Sequence, residues 1–242
     1  MDKKWKHIII LCLLLLAFCS DDLRAQQNRQ KQMIDSYAVE YLQTVNNKSP
    51  LYSGNIQEAH PRAKNHPYLV EFQYTQARLS YLGTIYPEAM LRLNLNRNEL
   101  VARSPDMRNI VLFPENVDFA ELHGQHIVYF RSDAMPGAPS SGYYALLHSG
   151  NCKILKKQNA VLNQSASQTT IEFYYLFSTQ FYLFKDGVYQ TIRNKRGYLN
   201  ALQPYKKELK RFISANHLNY KKNTDVFLQQ TINEFEKLSG LQ

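Results

Sequence analysis

At 242 residues, with 44% hydrophobic and 20% charged side chains, the chain carries enough apolar surface to build a core, which excludes a wholly disordered protein. Seventeen Tyr and twelve Phe against one Trp favour pleated, half-buried surfaces. A formal net charge of +9 directs attention to anionic partners.

Residues 1–25 read as an export leader. Lys3, Lys4 and Lys6 form a positive start, Ile8 to Phe18 is an unbroken apolar run, and a polar stretch follows. That run is too short to span a bilayer, which takes about 20 residues, and no later run is longer. The expected product is exported to the periplasm or outer membrane without a membrane-spanning helix. Two junctions compete. Small Ala25, with Leu23 two residues earlier, permits cleavage before Gln26. Alternatively Cys19 is lipidated, with Ser20-Asp21-Asp22 as a surface-sorting tether, giving a surface lipoprotein; bulky Phe18 before the cysteine favours the junction at Ala25.

With the leader removed, Cys152 is alone, so no internal disulfide is expected and the residue reads as a small buried hydrophobe in a strand. Residues 26–50 read as an N-terminal helix: Met33, Tyr37, Tyr41, Leu42 and Val45 recur at helical spacing, and Asn46-Asn47 with Ser49-Pro50 ends the pattern.

Over residues 51–192 the apolar period shifts to two. Leu91 to Leu95, a turn at Arg97-Asn98 and a return from Glu99 to Arg103 predict a hairpin. Tyr143 to Leu147 and Cys152 to Leu155, turning through Ser149-Gly150-Asn151, predict a second. Phe181 to Lys185, Asp186-Gly187 and Val188 to Ile192 predict a third, with a two-residue turn suited to strand twist. Further strands are expected at Tyr68 to Tyr74, Ile110 to Phe113 and Ile127 to Phe130. Met135 to Gly142, rich in Pro, Gly and Ser, reads as a surface loop.

Residues 193–242 return to helical spacing. Leu199, Leu202, Leu209, Phe212 and Ile213 line one apolar face, Pro204 sits where a new helix starts, and Asn216 is a stop. Asn223 or Thr224 caps a last helix with Phe227, Leu228, Ile232, Phe235 and Leu238 inward. From Arg193 to Lys222 only Glu208 opposes the cations Arg193, Lys195, Arg196, Lys206, Lys207, Lys210, Arg211, Lys221 and Lys222. These nine define a candidate surface for an anionic partner.

The stretch "YLFKDGVYQTIRNKRGYLNALQPYKKELKRFISANHLNYKK", Tyr182 to Lys222, resembles the C-terminal part of a family of uncharacterised exported proteins of Bacteroidetes-type bacteria. Its marks are the aromatic strand, the Lys-Asp-Gly turn, the Lys-Lys-Glu-Leu-Lys helix and the Asn-x-Leu-x-Tyr-Lys-Lys exit. Weaker similarity reaches back through "LYSG", "NHPYL" and "LHGQHIVYF"; the N-terminal helix here is longer. The resemblance implies an exported β-rich protein and carries no activity or functional residues.

Catalytic patterns are missing. No Gly-x-Ser-x-Gly elbow, phosphate loop, dinucleotide fingerprint or His-Glu-x-x-His occurs. His123 and His126 are three apart, which in a strand puts them on opposite faces, and His60 and His66 flank a Pro turn with only Glu58 nearby. Export argues against nucleic acid as partner of the basic tail and favours lipid headgroups, lipopolysaccharide phosphates or an acidic protein. The fold expected is α+β, mainly β: an antiparallel sheet, sandwich or partly open barrel with an N-terminal helix and a C-terminal helical pair. The function expected is non-catalytic binding or scaffolding of an envelope protein or anionic envelope surface, without metal or cofactor. The alternative is an enzyme acting on an envelope polymer, polysaccharide or peptidoglycan.

Overall fold

The computed structural model describes residues 49–59, 62–132, 137–166 and 170–240. The chain divides into two units, Met1–Pro50 and Leu51–Gln242; the second is described below. The leader, Cys19, the expected N-terminal helix, His60 and the start of the Met135–Gly142 loop lie outside the described residues.

Eleven strands form one antiparallel sheet: β1 (Asn55–Ile56), β2 (Thr75–Tyr81), β3 (Thr84–Asn94), β4 (Glu99–Arg103), β5 (Asn109–Val111), β6 (Val117–Leu122), β7 (Gln125–Phe130), β8 (Gly142–Ser149), β9 (Lys153–Ala166), β10 (Ile171–Lys185) and β11 (Val188–Ile192). Their spatial order, β1-β5-β4-β3-β2-β6-β7-β8-β9-β10-β11, is two meanders joined at the β2–β6 pair, and the sheet is open. Three helices follow, α1 (Lys195–Ala201), α2 (Lys206–Ala215) and α3 (Thr224–Ser239), where the sequence predicts two. The extra one arises because Pro204 lies in the turn between α1 and α2, and Asn194 caps a separate first helix by accepting the Gly197 amide at 2.8 Å. No described helix is long and apolar enough to cross a membrane.

Local chemistry sets the hairpins. The Asp186-Gly187 turn has both residues at positive φ and pairs β10 with β11 in the predicted register, Lys185 opposite Val188 and Phe181 opposite Ile192. Leu82-Gly83 and His123-Gly124 adopt the same backbone and close β2–β3 and β6–β7. Leu and His are rare in that conformation, so neither turn stands out in the sequence.

The inner face of the sheet buries Leu79, Tyr81, Leu91, Leu93, Leu100, Ala120, Leu122, Ile127 and Tyr143. Two stitches draw its halves together. The Leu95 carbonyl and the Asn96 side-chain amide, beyond the end of β3, bond the Ala160 backbone of β9, and Asn98 accepts the Tyr143 amide at 2.9 Å. At the far end of β9 and β10, Ile154 and Leu183 sit opposite each other under the helices, packed with Leu199, Leu202, Leu209, Phe227, Leu228, Ile232 and Phe235. Burying each of these large side chains contributes about 1.5–3 kcal/mol. Phe212 is only half-buried and Leu238 is exposed, so the inward faces are narrower than the spacing predicts. On the outer face, Tyr144, Leu155 and Tyr189 form a third cluster with Ala138 of the loop before β8.

Tyr68 to Tyr74 is not a strand. Pro67 to Leu69 lie beside Leu93 to Leu95, in the slot that β2 leaves by starting only at Thr75, with Tyr68 paired to Asn94. The chain then leaves the sheet at Val70, which has φ of 63° and sits inside an i→i+2 bond from the Glu71 amide to the Leu69 carbonyl, a γ-turn of the strained hand. The physical reason is Arg92. Its guanidinium reaches out from the sheet, donates to the Phe72 carbonyl at 3.3 Å and lies against the rings of Tyr68, Phe72 and Tyr74.

Candidate functional site

The basic C-terminal region divides into two parts. Arg193 at the exit of β11, Lys195 and Arg196 in the first turn of α1, and Lys221 in the turn before α3 line one groove of about 650 Å³, with Leu218, Asn219 and Tyr220. The α3 cap, in which Asn223 accepts the Val226 amide at 3.1 Å, fixes the Lys221-Lys222 turn beside it. Lys206, Lys207, Lys210 and Arg211 belong to α2 and do not line the groove, and neither does Lys222. Among the described residues none of the nine cations stands at ion-pair distance from a carboxylate. Lys206 is half-buried and the other eight are exposed. Lys195 lies over the Phe227 ring at 5.3 Å, which leaves its charge available to the groove. Lys206 and Lys207 open α2, where the positive end of the helix dipole disfavours cations by about 0.3–1 kcal/mol each. Among the described residues no ion pair offsets that positive charge.

A second feature has no counterpart among the sequence-based expectations. Gln57 to Ala59 and Arg62 to Phe72 border a cleft of about 460 Å³, which Arg92 of β3, Asn109 of β5 and Tyr175 of β10 also line. At its base is Arg92, 8% exposed. Its guanidinium lies 4.0 Å from the Tyr68 ring centroid and 4.3 Å from that of Tyr74, and donates to Gln57 Oε1 at 2.8 Å as well as to Phe72. Burial raises the phenol pKa of both tyrosines while Arg92 works against it, so both are uncharged donors at neutral pH. Arg62, Asn65 and His66 line the same cleft. The signal in the sequence was Arg92 between Leu91 and Leu93 of a strand, together with three aromatics at Tyr68, Phe72 and Tyr74. Read as alternation, both look like ordinary sheet.

The remaining candidates are structural by position. Cys152 is buried in the turn before β9, and burial pushes its thiol up to about 11, with Glu236 adding to the shift, so it is no nucleophile at neutral pH. His123 sits in the β6–β7 turn with Nε2 at 3.4 Å from the Thr75 hydroxyl, and His126 stacks on Phe119 at 5.1 Å. Among the described residues no three His, Cys, Asp or Glu side chains converge as a metal would require. Along β10, Tyr175 is buried, Phe173 half-buried and Phe177 53% exposed, so these strand aromatics belong only partly to the core.

Comparison with family models, with curated proteins and with solved structures finds no match for this chain.

Proposed function

We propose that the chain is an exported, non-catalytic envelope protein that holds an anionic envelope surface through the groove formed by Arg193, Lys195, Arg196 and Lys221. The observation that carries this reading is that four cations from three separate elements, with no ion-pair partner among the described residues, line one groove. Each cation near an anionic headgroup layer contributes about 1 kcal/mol, and the attraction falls off within a Debye length. The leader pattern of residues 1–25 supports export, with cleavage before Gln26 or lipidation of Cys19 deciding whether the chain also carries its own anchor.

The test is sedimentation of the full chain with vesicles of anionic phospholipid. Binding at low salt and release at high salt are expected, and vesicles of zwitterionic lipid are expected to leave the protein in the supernatant. The combined change Lys195→Glu, Arg196→Glu and Lys221→Glu is expected to weaken binding by roughly a hundredfold or more. Binding that ignores salt, or survives the triple change, would sink the reading. Mass spectrometry of the exported N-terminus distinguishes Gln26 from an acylated Cys19.

A further inference from the structure

The cleft around Arg92 plays no part in the cationic groove and stands on different residues. Buried guanidinium groups in proteins are normally matched by a carboxylate, because leaving a charge unpaired away from water is costly. Arg92 has none. The nearest acid across its hydrogen bonds is Glu99, which stands behind Gln57 and bonds the Gln57 amide nitrogen at 3.4 Å. The acid that does line the cleft, Glu58, pairs with Arg97 at 3.3 Å. Arg62, on the rim, has no carboxylate at ion-pair distance among the described residues. The cleft therefore carries two cations that no described carboxylate pairs with. The faces of Tyr68 and Tyr74 offset part of the cost for Arg92, as cation–π contacts do when water is excluded.

Donor accounting points the same way. A guanidinium has five N–H groups. Nη1 uses one on the Phe72 carbonyl and Nη2 one on Gln57, which leaves one on each terminal nitrogen without an acceptor among the described residues. Nε, shielded from water, has no partner either. A planar guanidinium with donors to spare matches a carboxylate, which accepts through two oxygens, better than a monatomic anion.

The walls describe the rest of the ligand. Phe72 is 55% exposed beside the cleft, carried outward by the strained turn at Val70, whose own side chain is 61% exposed. His66, Tyr68 and Phe72 form a triangle of rings, with His66 6.0 Å from each of the others and those two 5.8 Å apart. An aromatic rim over a cleft of about 460 Å³ is within the size range of small-molecule sites and larger than an inorganic ion needs.

We propose that this cleft binds a small organic carboxylate, with its anionic head on Arg92 and Arg62 and its apolar or planar body along Phe72, His66 and Tyr68. Arg92 then has two tasks: it holds the Phe72 carbonyl in the free protein and receives the ligand on its remaining N–H groups.

The experiment titrates sodium benzoate into the ¹⁵N-labelled full chain while following the side-chain N–H resonances of Arg92 and Arg62. Saturable shifts of both are expected. Benzamide, the same shape without charge, and acetate, the same charge without a ring, are each expected to bind about tenfold more weakly. Arg62→Gln changes an exposed side chain and leaves the fold intact; it is expected to weaken benzoate about tenfold, and Arg92→Lys at least as much. The proposal is overturned if benzoate gives no saturable shift, if benzamide binds equally well, or if Arg62→Gln binds benzoate as tightly as the unaltered chain. Inorganic phosphate displacing benzoate at a lower concentration than benzoate itself requires would also overturn the carboxylate assignment. None of these outcomes depends on the vesicle experiment, so failure of one reading leaves the other standing.

Discussion

Glu236, buried on α3, accepts the backbone amide of Cys152 at 2.7 Å, and its second carboxylate oxygen lies 2.9 Å from Nε2 of His148. One side chain thus ties the last helix to both sides of the β8–β9 turn. The turn is shaped around it: a Cβ on Gly150 would fall 2.3 Å from the carboxylate. The two side chains are 9% and 14% exposed, so the contact is dry enough for its loss to matter.

Replacing Glu236 by Ala leaves a buried amide and an imidazole without their acceptor and is expected to destabilise the fold by about 2–4 kcal/mol. Glu236→Gln keeps an acceptor for one of them and is expected to lose about half as much. Chemical denaturation measures both. An alanine variant as stable as the unaltered chain would show that helix and sheet are held by the apolar cluster alone.

Lys157 provides a prediction with a pH signature. It is 7% exposed on the outer face, bonds Asn98 Oδ1 at 2.9 Å and the Tyr143 carbonyl at 3.3 Å, and sits over the Tyr144 ring. A Cβ at Gly142 would crowd its Nζ and the Asn98 amide, so a larger residue there would have to displace both side chains. Burial pulls the ammonium pKa down from 10.5 to about 8. The folded state therefore binds fewer protons than the unfolded state between those values, and stability rises with pH across that window. Below pH 8 the penalty is at its largest, about 1–3 kcal/mol after allowance for solvent screening. Lys157→Met is expected to be more stable than the unaltered chain by that amount at pH 7, with the advantage shrinking towards pH 10. Parallel denaturation series at several pH values check this; a constant difference would contradict it.

These two contacts mark how far the sequence could be read. The three hairpins with ordinary turn chemistry, at Asn98, Gly150 and Asp186-Gly187, were legible because alternation and turn residues agree there. The strands β2 and β6 were not. Their hairpins turn through Leu82-Gly83 and His123-Gly124, and β2 begins only after the chain has left and rejoined the sheet around Arg92. The nine cations were visible as residues, yet only the fold decides that Arg193, Lys195, Arg196 and Lys221 share a groove while the α2 lysines do not. Arg92 was hidden for a deeper reason: its partners Tyr68, Phe72 and Tyr74 fall at the even spacing of an ordinary strand, and with Gln57 they meet it through tertiary contacts alone.

Val70 tests the strain in that connection. A β-branched residue at φ of 63° is held at a cost of about 1–3 kcal/mol, and its exposed side chain recovers little by burial. Val70→Gly removes the strain and adds about 0.5–1 kcal/mol of unfolded-state freedom. A net stabilisation of about 1 kcal/mol in urea denaturation is expected. A loss of stability would mean that Val70 makes contacts worth more than its strain.

The edge of β10 supplies the last prediction. Asn65 grips Tyr175 from outside the sheet, accepting its amide at 2.6 Å and donating to its carbonyl at 2.9 Å, while the Lys64 amide bonds the Phe173 carbonyl. Pairing with β11 begins only at Phe181. Between these two covers, Leu176 to Gln180 are exposed, and no described residue pairs their outer edge. Such an edge is a template for a second chain, and here it is short because Asn65 closes one side. Asn65→Ala is expected to lower amide-exchange protection at Tyr175, cost about 1–2 kcal/mol, and promote concentration-dependent association by lengthening the open edge. Adding Phe177→Lys places a charge on that edge and is expected to suppress the association without restoring the protection at Tyr175. Association that persists in the double variant would place the contact elsewhere, whereas its loss assigns the contact to β10.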